Sequence, residues 1–296
     1  ERKYWNTDAA IWGEILDDLG AEGAMLFPTL GLAHGLMRDI PFAIATATAY
    51  NSWLDAHYTS KDPRLYGVGI VPVQDPEAAA REIKRCGEKR TNFRAIVLPT
   101  ANCLGTSYGD EYFWPIYEEA ERQDMALTLH GAPSEGFGFD HFKRYIASHT
   151  LEHPIPIFIQ LTDMMFGRVF DAFPKLRFAF LEAGCSWVPF MMDRMDYEYH
   201  SIHGVAVRRQ LNRKPSEYFG PDGNIWMGME VGEQSLTHVI DMIGSERLVY
   251  ATDYPHEPLY DILTTELPEF LARDDLSEEA KANIVCNNAK KLYGIS

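Results

Sequence analysis

Residues 125–131 read Met-Ala-Leu-Thr-Leu-His130-Gly, and residues 177–184 read Arg-Phe-Ala-Phe-Leu-Glu182-Ala-Gly. Each is a short apolar run with no polar alternation, and each ends on one polar residue followed by a small turn residue. Such runs fit strands buried on both faces of a parallel sheet. Five similar runs occupy 24–27, 66–71, 94–98, 225–228 and 248–253.

Helical patterns lie between the runs, at 11–19, 42–57, 75–90, 111–122, 157–173, 188–200, 236–243 and 277–293. Asp75-Pro76 gives the third an N-cap and a proline at its first helical position. Ser277-Glu278-Glu279 caps the last. Strand alternates with helix throughout, with no low-complexity linker or charge block. That pattern specifies an α/β fold with a parallel sheet. No G-x-G-x-x-G fingerprint follows a strand, and the nearest stretch, Gly67-Val-Gly69, sits inside one. A doubly wound nucleotide fold is therefore disfavoured against a (β/α)8 barrel. Seven runs are found where a closed barrel needs about eight strands.

The chain has 296 residues, 46% of them hydrophobic and 24% charged, which is the balance of a packed globular protein. Lysine and arginine total 27 and acidic residues 43, so the net charge is 27 − 43 = −16. Nucleic acid and anionic membranes call for a basic footprint and are excluded as main partners. No apolar run approaches the roughly 20 residues of a membrane span. The cysteines Cys86, Cys103, Cys185 and Cys286 form no C-x-x-C pair. They fit reduced thiols, and the expected compartment is the cytoplasm.

Barrel enzymes carry their chemistry at the C-terminal ends of strands. Pro28, Pro72 and Pro99 are exit turns of the first three runs. The later runs end at His130, at Glu182, beyond Gly228 at Glu230, and at Asp253, followed by Tyr254-Pro255-His256. Histidine with carboxylates at adjacent strand tips is a donor set for a first-row divalent cation. Each residue also has a plainer reading. A strand-end histidine is often a hydrogen-bonded structural group, and a strand-end aspartate is often a helix cap. Glu182 lies in an apolar run, where an unpaired carboxylate is costly.

These motifs, taken together, resemble one family. They are Leu-Thr-Leu-His130-Gly, Phe173-Pro-Lys-Leu-Arg-Phe-Ala-Phe-Leu-Glu182-Ala-Gly-Cys-Ser-Trp187-Val-Pro, Asp193-Arg194-Met-Asp196 and Tyr250-Ala-Thr-Asp253-Tyr-Pro-His256. Phe27-Pro28-Thr29, Tyr50-Asn51-Ser-Trp53, Asp62-Pro63-Arg64-Leu65 and Asn288-Ala-Lys-Lys-Leu-Tyr293-Gly extend the match over nearly the whole chain. The sequence is identified as a member of the amidohydrolase-related family, in the branch of aminocarboxymuconate-semialdehyde decarboxylase and related aromatic-acid decarboxylases.

The resemblance implies a distorted (β/α)8 TIM barrel over 1–296, as one domain, and one divalent metal ion, with zinc favoured over manganese or iron. It implies His130 and Asp253 as metal ligands, with Asp253 also handling the proton of a metal-bound water. The family's first-strand ligand motif has no match here. The expectation is a chain whose first strand lies upstream of Glu1. Relatives carry His where Glu182 stands, so Glu182 is expected as the general acid or base. His256, His153 and Glu230 are expected as substrate contacts or supporting residues. His149-Thr-Leu-Glu-His153 has i, i+4 spacing, but Pro154 follows it, so the segment is read mainly as loop packing with His141 near the active face. Cys185 is read as a small packing residue, His200 and His203 as surface, and Trp5, Trp12 and Trp53 as core or subunit contacts.

The implied activity is a metal-dependent reaction of a small aromatic or unsaturated organic acid. Non-oxidative decarboxylation is slightly favoured over hydrolysis of an amide, ester or lactone. A non-catalytic ligand-binding barrel is the rival from another class. A homodimer or homotetramer is expected on family grounds.

Overall fold

The computed structural model describes residues 7–88, 92–131 and 135–296. Residues 1–6, Trp5 among them, and Arg90 at the end of the third helical pattern lie outside the described residues.

Seven strands form one sheet in chain order: β1 (Ala24–Leu26), β2 (Leu65–Ile70), β3 (Phe93–Pro99), β4 (Ala126–His130), β5 (Phe178–Leu181), β6 (Ile225–Met229) and β7 (Leu248–Tyr250). Every neighbouring pair is parallel. All seven apolar runs are thus strands, with ends shifted by a few residues at most. Among the described residues no ladder joins β1 to β7. The two ends nonetheless meet through side chains. Trp12 stands edge-on to Tyr254 at 5.3 Å between ring centroids, and Thr29 Oγ1 lies 3.4 Å from His256 Nε2. The sheet is a curled, barrel-type α/β sheet.

The helices of the first half are α1 (Ala9–Leu19), α2 (Ile40–Leu54), α3 (Pro76–Glu88) and α4 (Trp114–Arg122). Asp8 caps α1 by accepting from the amides of Ala10 and Ile11, and Gly20 ends it at φ 61°. Asp39 caps α2, and Asp75 accepts from the amide of Ala78 at the start of α3. The long connection after β4 holds α5 (Tyr145–Glu152) and α6 (Pro154–Phe166), followed by α7 (Val169–Ala172). Two expectations are corrected here. Residues 149–152 of that segment are helical rather than loop, His153 is the turn between the helices, and Pro154 begins α6 as well as ending α5, because its fixed φ suits a first helical turn. The pattern at 157–173 is two helices, because Arg168 turns left-handed at φ 65° between them. After β5 comes α8 (Val188–His200), and after β6 comes α9 (Leu236–Ile243). His200 and His203 are exposed, as read. Trp53 is also exposed, with its ring tilted against Tyr50 and His57 and edge-on to Tyr58, rather than buried in the core.

Alternation along the strands divides the core in two. Ile96, Leu98, Leu127, Leu129, Phe178, Phe180, Ile225, Met227 and Leu248 face the helices. Val68, Ile70, Ala95, Val97, Ala126, Ala179, Leu181, Trp226 and Val249 face the inside of the curl, joined by Leu292 and Tyr293 of the C-terminal helix. The inward set holds many small residues, as the limited space inside a curled sheet requires. His130 has the parity of Ala126 and so belongs to the inward side.

Asn51 fixes the exit end of β2. Its Nδ2 donates to the Ile70 carbonyl at 2.9 Å and to Glu82 Oε1 at 2.7 Å, while its Oδ1 accepts from the Ile70 amide at 3.0 Å. Burial raises the Glu82 carboxyl, but hydrogen bonds from Arg85 and Asn51 outweigh it and hold the group low. Asn51→Ala leaves buried backbone and carboxylate groups unpaired. It is expected to cost about 2–4 kcal/mol, read as a shift of the urea midpoint with the slope unchanged.

Candidate metal and acid-base site

The site lies where β4, β5 and β7 end. His130, the last residue of β4, is buried and stacks near Phe27 with 5.4 Å between centroids. Its Nδ1 lies 2.8 Å from the Gly131 carbonyl oxygen. A carbonyl only accepts, so Nδ1 carries the hydrogen and Nε2 is left facing outward. Nε2 lies 3.3 Å from Glu182 Oε1.

Glu182 reaches this place by a backbone device. Phe178 and Phe180 point to the helices, so strict alternation would send residue 182 the same way. The ladder stops at Leu181, however, and Glu182 takes φ 60°, with Gly184 at φ 62° just beyond. The left-handed turn brings the carboxylate between two imidazoles, His130 on one oxygen and His153 Nδ1 at 3.0 Å on the other. A glutamate at positive φ is uncommon and costs of order 1 kcal/mol or more, and such strain is often found at functional sites. Burial pushes the Glu182 carboxyl up, but hydrogen bonds from His130 and His153 prevail and hold it well below the usual range, which takes a proton on His130 Nε2 where no metal lies between the two groups. In return the Glu182 hydrogen bond raises His153, against its burial.

Asp253 also sits at positive φ, 49°, three residues beyond β7. Its Oδ1 meets His256 Nδ1 at 2.9 Å, and the amides of His256 and Glu257 donate to its carbonyl. Partial burial and the Glu182 charge raise the Asp253 carboxyl, with His256 opposing. Ligand-type atoms of Glu182, Asp253 and His256 lie within 4.8 Å of one another. His130 joins this trio through Glu182. Glu230 is exposed and stays outside the trio. Protein packed on one side of its carboxyl, then the charges of Glu233, Glu182 and Asp253, raise it.

Glu233 clips the turn after Glu182. It accepts from the amides of Cys185, Ser186 and Glu230, and from the Cys185 thiol at 3.2 Å. Burial and the Glu233 charge push that thiol far up, as suits a small packing residue.

Sequence reasoning missed two contacts, Phe27 beside His130 and Thr29 on His256. Both follow β1, and the exit proline Pro28 was the available signal that they lie on the same rim.

The donor set fits a divalent cation. Nε2 of a His130 whose hydrogen is on Nδ1 faces a carboxylate held ionised, and two lone-pair donors repel unless a proton or metal lies between them. Nitrogen and oxygen donors of this kind suit zinc, manganese or iron.

The amidohydrolase family pattern matches residues 21–295, and the chain belongs to that family. It is similar to 2-amino-3-carboxymuconate-6-semialdehyde decarboxylase of Dictyostelium discoideum, at 27% identity over 98% of this chain and 77% of that protein. Among solved structures it is similar to 5-carboxyvanillate decarboxylase of Sphingomonas paucimobilis, with a TM-score of 0.74 and 25% identity over 96% of this chain and 82% of the other. A dihydroxybenzoic acid decarboxylase of Polaromonas, with bound manganese and the inhibitor 2-nitroresorcinol, shares the fold at a TM-score of 0.77 and 24% identity, covering 96% of this chain and 85% of that one. The protein is thus an α/β enzyme of the amidohydrolase superfamily. No helix among the described residues is long and apolar enough to cross a membrane.

Proposed function

We propose that this chain is a metal-dependent carboxy-lyase that removes CO2 from a small aromatic or unsaturated acid. The observation that carries the reading is Glu182 held between His130 and His153 beside Asp253, which combines a cation site with a proton carrier. His130 and Asp253 would hold the cation, with Glu182 and His256 within reach. When bound, such an ion is a Lewis acid that draws in a carboxylate and a neighbouring oxygen. Zinc is the ion the donor chemistry favours, and manganese is supported by the Polaromonas relative.

The rim otherwise repels an organic acid, since Glu182, Glu230, Glu233 and Asp253 crowd it with negative charge. A cation reverses that local sign. As the carbon–carbon bond to the carboxylate breaks, its electron pair stays on the substrate carbon and CO2 leaves. That carbon then needs a proton. The Nδ1–H of His153, shared with Glu182, is the proton at hand, and Glu182 steadies the charge on the ring. We further propose that residues 1–296 act as one barrel domain and that the enzyme is a homo-oligomer.

The test is incubation of metal-loaded protein with hydroxybenzoates and unsaturated dicarboxylic acids in D2O. Release of CO2 with one deuterium at the vacated carbon, abolished by EDTA, is the expected result. Solvent 18O entering a product carboxylate without CO2 would make the enzyme a hydrolase. Neither product across the panel would leave a binding barrel.

A further inference from the structure

The connection between β4 and β5 carries a second set of ligand-type side chains. His149 and His153 stand one helical turn apart across the α5–α6 junction, with ring centroids 5.0 Å apart. Glu152 lies between them in sequence, and ligand-type atoms of all three residues lie within 4.8 Å of one another. The i, i+3, i+4 spacing places them on one helix face. His153 can take a cation only by giving up the hydrogen that Nε2 carries when the ring is charged, so the loaded site and the proton-donating ring are alternative states. The His153 Nδ1 is engaged by Glu182 at 3.0 Å, which leaves Nε2 for another partner. That Nε2 is 3.9 Å from Glu152 Oε1, too far for a hydrogen bond. Two donors around a tetrahedral zinc sit roughly 3.3 Å apart, from metal–donor bonds of about 2.0–2.1 Å. The group therefore needs only a small contraction, which the exposed His149 can supply by rotating. A carboxylate that receives the second ring hydrogen of a ligating histidine is the usual support of a metal site, and Glu182 occupies that place.

We infer that His149, Glu152 and His153 form a second divalent-cation site, selective for zinc-like ions over magnesium, beside the first. It uses the ring nitrogen of His153 opposite to the one that faces Glu182, and its existence does not depend on the reaction proposed above.

Equilibrium dialysis of the full chain against Zn2+ tests it, with His149→Ala, Asp253→Ala and the double variant alongside. The wild type is expected to hold about two ions per chain, each single variant about one, and the double variant none. Co2+ difference spectra should show two sets of visible bands in the wild type and lose one set in His149→Ala. Glu152→Gln guards against a local effect of the first change and should weaken the same site. If His149→Ala keeps the wild-type stoichiometry and spectrum, His153 is only an ion-paired side chain and the inference is overturned. If Asp253→Ala alone changes nothing, the first site fails while the second stands.

Discussion

Asp253→Asn is expected to strip the catalytic cation and lower kcat/KM by about 10³-fold or more, while leaving the apo-protein folded. The side chain keeps its size, and asparagine tolerates the left-handed φ of 49° as well as aspartate does. What goes is the charge. In the apo-protein that charge is a burden: partial burial, then the Glu182 carboxylate, raises the Asp253 carboxyl above its ordinary value. The sign follows directly. An acid whose folded pKa is raised binds more protons folded than unfolded, so apo-stability falls as pH rises from the ordinary aspartate value to the raised one. Asp253→Asn removes that fall, so the apo-variant should melt at or above the apo wild type at neutral pH. With metal added the order reverses, because only the wild type gains binding energy. Elemental analysis and melting curves with and without metal check both halves. A variant that keeps its metal and its activity would remove Asp253 from the site.

The contrast between the two cores shows what could be read beforehand. Seven apolar runs set the seven strands, because burial on both faces leaves no alternation to misread. The strand end at His130 was legible for the same reason, because a polar residue ending such a run needs a partner or a rim position, whereas Asp253 lies three residues past the end of β7. The orientation of Glu182 was not legible. Its parity assigns it to the helix layer, and only the left-handed backbone after Leu181 turns it inward. Helix α5 showed only in the i, i+4 spacing of His149 and His153 before Pro154, because none of its residues is buried and it has no apolar stripe to betray the period. The contact of Thr29 with His256 joins residues 227 apart in sequence, a consequence of the sheet's curl that no local pattern encodes.

Glu182→Gln carries the second large effect, and it separates charge from position. A glutamine fits the same space and can still serve both histidines: its carbonyl oxygen accepts from His153 Nδ1, and its amide donates to His130 Nε2. The fold should therefore persist. The loss is the negative charge that lifts His153 and steadies its proton. Without it the His153 proton leaves at lower pH, so the alkaline limb of the kcat/KM profile should move toward acid. At the wild-type optimum the rate should fall by about 10²–10⁴-fold, the range for a lost acid–base group. The stability terms have fixed signs too. The depressed Glu182 stabilises the wild type above the ordinary glutamate value, and this is lost as pH falls through its folded value. The raised His153 stabilises below its ordinary value, and this is lost as pH rises through its folded one. Both slopes should be shallower in Glu182→Gln. Glu182→Asp restores the charge and suits positive φ better, but its shorter arm reaches the histidines poorly. Its alkaline limb should return toward the wild-type position while its rate recovers only in part. A uniform rate loss with an unmoved pH profile in Glu182→Gln would mean that Glu182 only braces the turn, and that the proton comes from elsewhere.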